Sequence, residues 1–365
     1  MPTELVDWDL ALSTAQRLAG PGPRVERAEA DAVVLDLRCL AEEAGGHVER
    51  YTRLRPEGAP PPVVVVDRNE WARSNVAGLR TITRPLLGKL SERAGQGWTT
   101  SVGRRVTGLQ IGVALAYLST KVLGQYEVFL PESDGGTGRL SLVAPNIVEV
   151  ERILGVDPTD FRMWVCLHEQ THRLQFSAVP WLRDHLEAEV RAFAEVTDLE
   201  PGEIMRRVRD GMAAVRGAVL RSGDGPTSLL EAIQTPEQRA VLNRLQALMT
   251  LLEGHADQVM DAVGPKVVPS VGEIRRRFED RRDAASPIER LVRRLLGLDM
   301  KLRQYRQGGA FVRTVVDQVG VEAFNRVWTS PETLPTLAEF TDPPLWMDRV
   351  LGIAPRASAC NSTLR

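Results

Sequence analysis

His168-Glu169-Gln170-Thr171-His172 lies within the stretch from Asp157-Pro158-Thr159-Asp160 to Gln175-Phe176, and the reading of that stretch decides the fold. Asp157 followed by Pro158 is a helix start: a side-chain oxygen that can cap, then a proline whose missing N–H costs nothing in the first turn. From there Phe161, Trp164, Val165, His168, His172 and Gln175 recur in steps of three and four, so a helix over Pro158–Phe176 carries them on one face. On that face the two histidines are one turn apart. They can clasp one zinc ion, with Glu169 beside them as general base.

Most of the remaining chain also reads as helix. Val6–Leu18 stops at Gly20-Pro21-Gly22-Pro23, and Val25–Ala44 closes at Gly45-Gly46. Arg68–Arg93 is helical, and Val106–Leu123, rich in Ala and Leu, reads as a buried helix. A long apolar helix runs from Pro236 to about Val263, before Gly264-Pro265, and Pro287–Gly308 and Ala310–Trp328 complete the set. Three short runs differ. Val63–Val66 is β-branched, and Tyr126–Leu130 and Arg139–Val143 flank Asp134-Gly135-Gly136-Thr137-Gly138, which predicts a hairpin just before the motif. Arg139–Val143 is either an internal strand or a sheet edge to which an extended peptide could add. No repeat or interdomain linker is evident. The expectation is one mainly α domain with a small β-sheet (α+β) over residues 1–350, followed by a disordered tail at 351–365.

Composition narrows the function classes. The 365 residues carry 46 basic and 48 acidic side chains, with 43% hydrophobic and 26% charged residues. This is the balance of a soluble globular protein, and it gives no reason to expect nucleic acid or an anionic membrane as partner. No apolar run approaches the roughly 18 residues of a membrane span. Cys39, Cys166 and Cys360 are far apart and odd in number, which suggests thiols rather than a disulfide framework. Met1–Asp9 is acidic and lacks a basic-then-apolar leader, so a cytoplasmic location is expected.

A catalytic zinc takes three protein ligands and leaves one position open. The metzincin continuation would put a histidine six residues after His172, where Ala178 stands. A better third ligand is Glu253, 253 − 172 = 81 residues downstream, in Leu251-Leu252-Glu253-Gly254-His255-Ala256-Asp257. A carboxylate midway along an apolar helix costs several kcal/mol to bury unless it is paired or bound to metal. Asp257, one turn on, could accept the spare N–H of a ligating histidine and fix its tautomer. This Glu-x-x-x-Asp arrangement is the one used by the gluzincin class. His255 is the rival, about 200° around the helix from Glu253, so both cannot face one metal. His185, Glu187 and Glu189 are weaker rivals that read most simply as a solvated helix face.

Such a site would lower the pKa of a zinc-bound water toward about 7, with Glu169 taking the proton and returning it to a leaving amine. Tyr305, in Leu302-Arg303-Gln304-Tyr305-Arg306, is a candidate donor to the developing oxyanion; its other reading is a tyrosine packed at a helix end. The function expected is a zinc-dependent metallohydrolase, a gluzincin-like peptidase acting on a peptide or protein. The alternative is a non-catalytic module in which zinc staples helices or the site is vestigial.

The motif, together with Gln175-Phe176, Val179-Pro180-Trp181-Leu182 and Leu252-Glu253-Gly254-His255-Ala256, resembles a bacterial family of uncharacterised zincin-like candidate hydrolases. Members carry a label of association with biosynthesis of a deazaflavin coenzyme. Arg139-Leu140 to Ile147 and Lys301 to Val312 are similar to the same family, and the resemblance spans roughly Trp8 to Arg349. It implies a zincin-like metallopeptidase fold with the motif on a central helix, and a metal at His168 and His172.

Overall fold

A computed structural model of the chain describes residues 5–93, 101–130, 138–196, 235–283 and 298–353, with 85–86, 89–93, 279, 282–283 and 298–306 as backbone only. The chain begins with α1 (Trp8–Leu18), α2 (Arg27–Thr52), β1 (Val63–Val66), α3 (Arg68–Arg93) and α4 (Ser101–Ser119). Next come β2 (Gly124–Glu127), β3 (Arg139–Val143), α5 (Ala144–Leu154), α6 (Pro158–Ala178) and α7 (Trp181–Val196). The remainder holds α8 (Pro236–Val267), α9 (Val271–Asp283), α10 (Leu298–Phe324), and the short α11 (Leu337–Thr341) and α12 (Pro343–Trp346). The protein is thus mostly helical with one small sheet.

Helix starts follow local chemistry. The Asp157 carboxylate accepts from the Asp160 N–H at the head of α6, and Thr235 and Gln238 form a reciprocal capping box at the head of α8. Helix ends follow packing more than the expected stop signals. α2 runs through Gly45-Gly46 to Thr52, because Val33, Leu37, Ala41, Ala44 and Val48 form one buried stripe that the glycines do not interrupt. Two interior glycines cost only about 2 kcal/mol, which that burial outweighs. In the same way α8 passes through Gly264-Pro265 to Val267.

The sheet order is β1-β3-β2. β1 is parallel to β3, with Val63 opposite Leu140, and β2 is antiparallel to β3, with Gly124 opposite Leu142 and Glu127 opposite Arg139. The expected antiparallel pairing is present, but the first strand is Gly124–Glu127 rather than Tyr126–Leu130, and residues 131–137 between the strands lie outside the described residues. β3, however, is paired on both sides, so its backbone offers no edge for an added strand. Among the described strands, β2 is the edge nearest α6.

α4 also corrects an expectation, since it is buried on one side only. Its glycines lie against α1: a Cβ on Gly112 would come within 2.6 Å of the Ala11 carbonyl oxygen. Val102, Val106, Leu109 and Val113 on another face are exposed.

One cluster of buried side chains joins α2, α5, α6, α9 and the C-terminal half of α8. A second joins α10 to Leu248, Leu251 and Leu252 of α8 and to Phe340 and Trp346. α8 therefore crosses from one core to the other, and Glu253 lies at the crossing. The Arg162 guanidinium, held by Glu151 and Asp36, ties α6 to α5 and α2. Among the described residues no helix is long and apolar enough to cross a membrane. Residues 354–365 of the expected tail lie outside the described residues, whereas Leu351 closes a π-helical turn, Met347–Leu351.

Candidate metal centre

α6 carries His168, Glu169 and His172 past β2 on one side and α8 on the other. The i, i+4 spacing aligns the two rings, and their Nε2 atoms are 3.2 Å apart. Glu253 comes from α8, with Oε2 3.7 Å from His168 Nε2 and Oε1 3.7 Å from His172 Nε2. One donor atom from each residue lies within 4.8 Å of the other two. Ligands at about 2.05 Å around a tetrahedral zinc stand about 3.3 Å from one another. The spacings seen here bracket that value, and two imidazoles with a carboxylate form a zinc donor set, so the residues fit the ion.

The ring nitrogens that point away are held as well. His172 Nδ1–H donates to Gln175 Oε1 at 3.0 Å. The Gln175 amide nitrogen donates to the Leu252 carbonyl and to His255 Nδ1, each at 3.0 Å. A backbone carbonyl can only accept, so the amide orientation is determined, and with it the tautomer that leaves the His172 Nε2 lone pair free. His168 Nδ1 has a weaker neighbour, Met260 Sδ at 3.3 Å.

Electrostatics follow burial. Loss of solvent, with a smaller contribution from His172 and against the attraction of Glu253, lowers His168 to about 4, keeping it neutral and ready to ligate. Burial pushes the Glu169 carboxyl up to about 7; His172 opposes this and Glu253 assists. That value suits a group that must take and release a proton near neutrality. Glu169 is wedged against the sheet: a Cβ on Gly124 would lie 2.6 Å from Glu169 Cγ and 2.7 Å from Cδ. Only glycine at that strand position leaves room for the carboxyl.

The other sequence candidates fall elsewhere. His255 is 2% exposed and packs its ring against Phe324 and Trp328, away from the cluster. His185 lies against Trp181, Glu187 pairs with Arg191, and Glu189 pairs with Arg244. Tyr305 is on α10, but its side chain lies outside those described. The expectation for Asp257 is corrected. His172 Nδ1–H instead donates to Gln175, one turn along the same helix, because the His172 ring turns Nδ1 back toward its own helix rather than toward α8. Asp257 instead lies near Gly309 of α10, its carboxyl raised to about 6 by burial and then by the Glu253 charge. The signal for Gln175 was present, since it shares the ligand face. Gly124 carried no comparable signal, because a glycine beside a strand does not announce what approaches it.

The three donor atoms face a cleft of about 300 Å³. Its walls are the β2 edge from Gly124 to Tyr126, the following Val128, the ligand face of α6, Leu186 of α7, and Met249, Leu252 and Glu253 of α8.

Comparison with known proteins gives a family and a solved relative. A family profile described as zincin-like metallopeptidase matches residues 6–347. The crystal structure of a candidate hydrolase with a novel fold from Chloroflexus aurantiacus is 32% identical in sequence, with a TM-score of 0.69. That similarity covers 94% of this chain and 98% of the other. No curated protein matches.

Proposed function

The chain belongs to the zincin-like metallopeptidase family, and on that premise we propose that it is a zinc-dependent hydrolase of peptide or related amide bonds. The observation that carries this reading is the convergence of His168, His172 and Glu253 at the wall of an open cleft, with Glu169 alongside. The donor set is gluzincin-like. A zinc ion held there would polarise a substrate carbonyl and acidify water.

The protein's own residues do the rest. Glu169, poised near neutrality, holds the proton removed from the attacking water on its carboxylate and delivers it to the leaving nitrogen. Gln175 keeps His172 in the ligating tautomer, and Gly124 keeps the Glu169 carboxyl in the cleft. Tyr305 is retained as a candidate oxyanion donor. A purely structural zinc would need a fourth protein ligand. Among the described residues no fourth His, Cys, Asp or Glu joins the three, which favours an open position.

The test is metal analysis combined with a broad peptide library. One zinc per chain is expected, lost in His168→Ala, with cleavage abolished and zinc retained in Glu169→Gln. Zinc-loaded protein that cleaves no peptide or amide would overturn the hydrolase reading.

A further inference from the structure

Resting on the reading just given, we infer that the cleft selects substrates bearing a large apolar side chain on one side of the scissile bond. Tyr126, Val128, Phe176, Leu186, Met249 and Leu252 supply the apolar lining of the cleft that holds the donor cluster. The order of residues sets where that wall lies. Phe176 is one turn beyond His172 on α6, and Met249 one turn before Glu253 on α8, so the wall starts where the cluster ends. Along β2 the same polarity appears: Gly124 abuts Glu169, whereas Tyr126 stacks on Phe176 with ring centroids 5.3 Å apart. Two residues of strand advance about 6.7 Å, one side-chain repeat of an extended peptide. A peptide running along this edge with its reacting carbonyl at Glu169 therefore brings a side chain within two residues of the cut against the apolar wall.

Chemistry agrees with the shape. The described cleft-lining residues include no Lys or Arg, and their charged members are the acidic Glu169 and Glu253. An apolar side chain would remove Met249, 38% exposed, from water, whereas an ionised one would lose its hydration against Tyr126, Val128, Phe176 and Leu186.

Calorimetric titration of the full, zinc-loaded protein with three hydroxamates tests this without turnover. The probes are acetohydroxamate and analogues in which its methyl is extended by a phenyl or a carboxylate group. The phenyl compound should bind at least about tenfold tighter than acetohydroxamate, and the carboxylate compound no tighter. Met249→Glu, at the rim where a charge does not disturb the core, should remove most of the phenyl advantage, and Met249→Ala part of it. In the peptide library, cleaved sequences should be enriched in Phe, Leu or Met at a single position within two residues of the cut. Equal binding of the phenyl and methyl compounds overturns the inference and leaves the zinc reading standing. Failure to take up zinc overturns both.

Discussion

Gln175 Oε1 accepts the Nδ1–H of His172 at 3.0 Å, and the same amide reaches across to the Leu252 carbonyl on α8, next to Glu253. One fully buried side chain thus positions groups on both helices of the donor cluster. Gln175→Leu should weaken zinc binding by roughly 10–100-fold, read by chelator competition. It should also destabilise the metal-free protein by about 1–3 kcal/mol, because the Leu252 carbonyl and His255 lose a buried partner. Gln175→Glu keeps an acceptor for His172 and should retain more of the zinc affinity than Leu does.

Asp257→Asn should change zinc affinity far less than Gln175→Leu, since Gln175 holds the His172 ring. Its effect is on the metal-free fold. A carboxyl raised from 3.8 to about 6 favours the protonated form in the folded state, so its charge destabilises the fold increasingly as pH rises from about 4 to 6. The asparagine variant should therefore be more stable than the parent by up to about 3 kcal/mol above pH 6, the difference vanishing below about pH 4, as read in chelator-treated melts.

The metal-free protein should lose stability on mild acidification. Burial lowers His255 to about 3 and His168 to about 4, from 6.5 in each case. A base with a lowered folded pKa is stabilising in its neutral form. That contribution is complete above pH 6.5 and is lost as pH falls toward 4. Two such groups give a slope approaching about 2.7 kcal/mol per pH unit near pH 5, offset in part by Glu169, whose raised value favours the fold at lower pH. Denaturant melts between pH 4.5 and 7.5 check this, and His255→Phe should flatten the curve.

Gly124→Ala should lower cleavage by about 100-fold or more with zinc content unchanged. The added methyl, 2.6 Å from Glu169 Cγ, must push the carboxyl out of place, and a small displacement of a reacting group is costly. The pH–rate profile should shift with it, which a global loss of stability would not produce.

Gly254→Ala tests the packing behind the cluster. A Cβ there would meet the Gly308 backbone on α10, which cannot yield as a flexible side chain does. A destabilisation of about 3 kcal/mol or more is expected in denaturant melts, with zinc affinity reduced as α8 shifts.

The sequence by itself determined what local chemistry and periodicity govern. The Asp157-Pro158 start and the apolar steps of α6 placed His168 and His172 one turn apart on a shared face, because helical geometry alone sets that relation. Glu253 stood out for a related reason, as a carboxylate in an apolar helix must find a partner. The tertiary structure decided everything that depends on two elements meeting. It carried α2 and α8 through glycines and proline that local propensity would stop at, because buried stripes outweigh a few kcal/mol of propensity. It paired β3 on both sides and left β2 as the edge beside α6. It brought Glu253 to the histidines across 81 residues, gave the support of His172 to Gln175 instead of Asp257, and set Gly124 against Glu169. Ring rotation and interhelical approach arise only when the helices pack, and no periodicity within one segment encodes them.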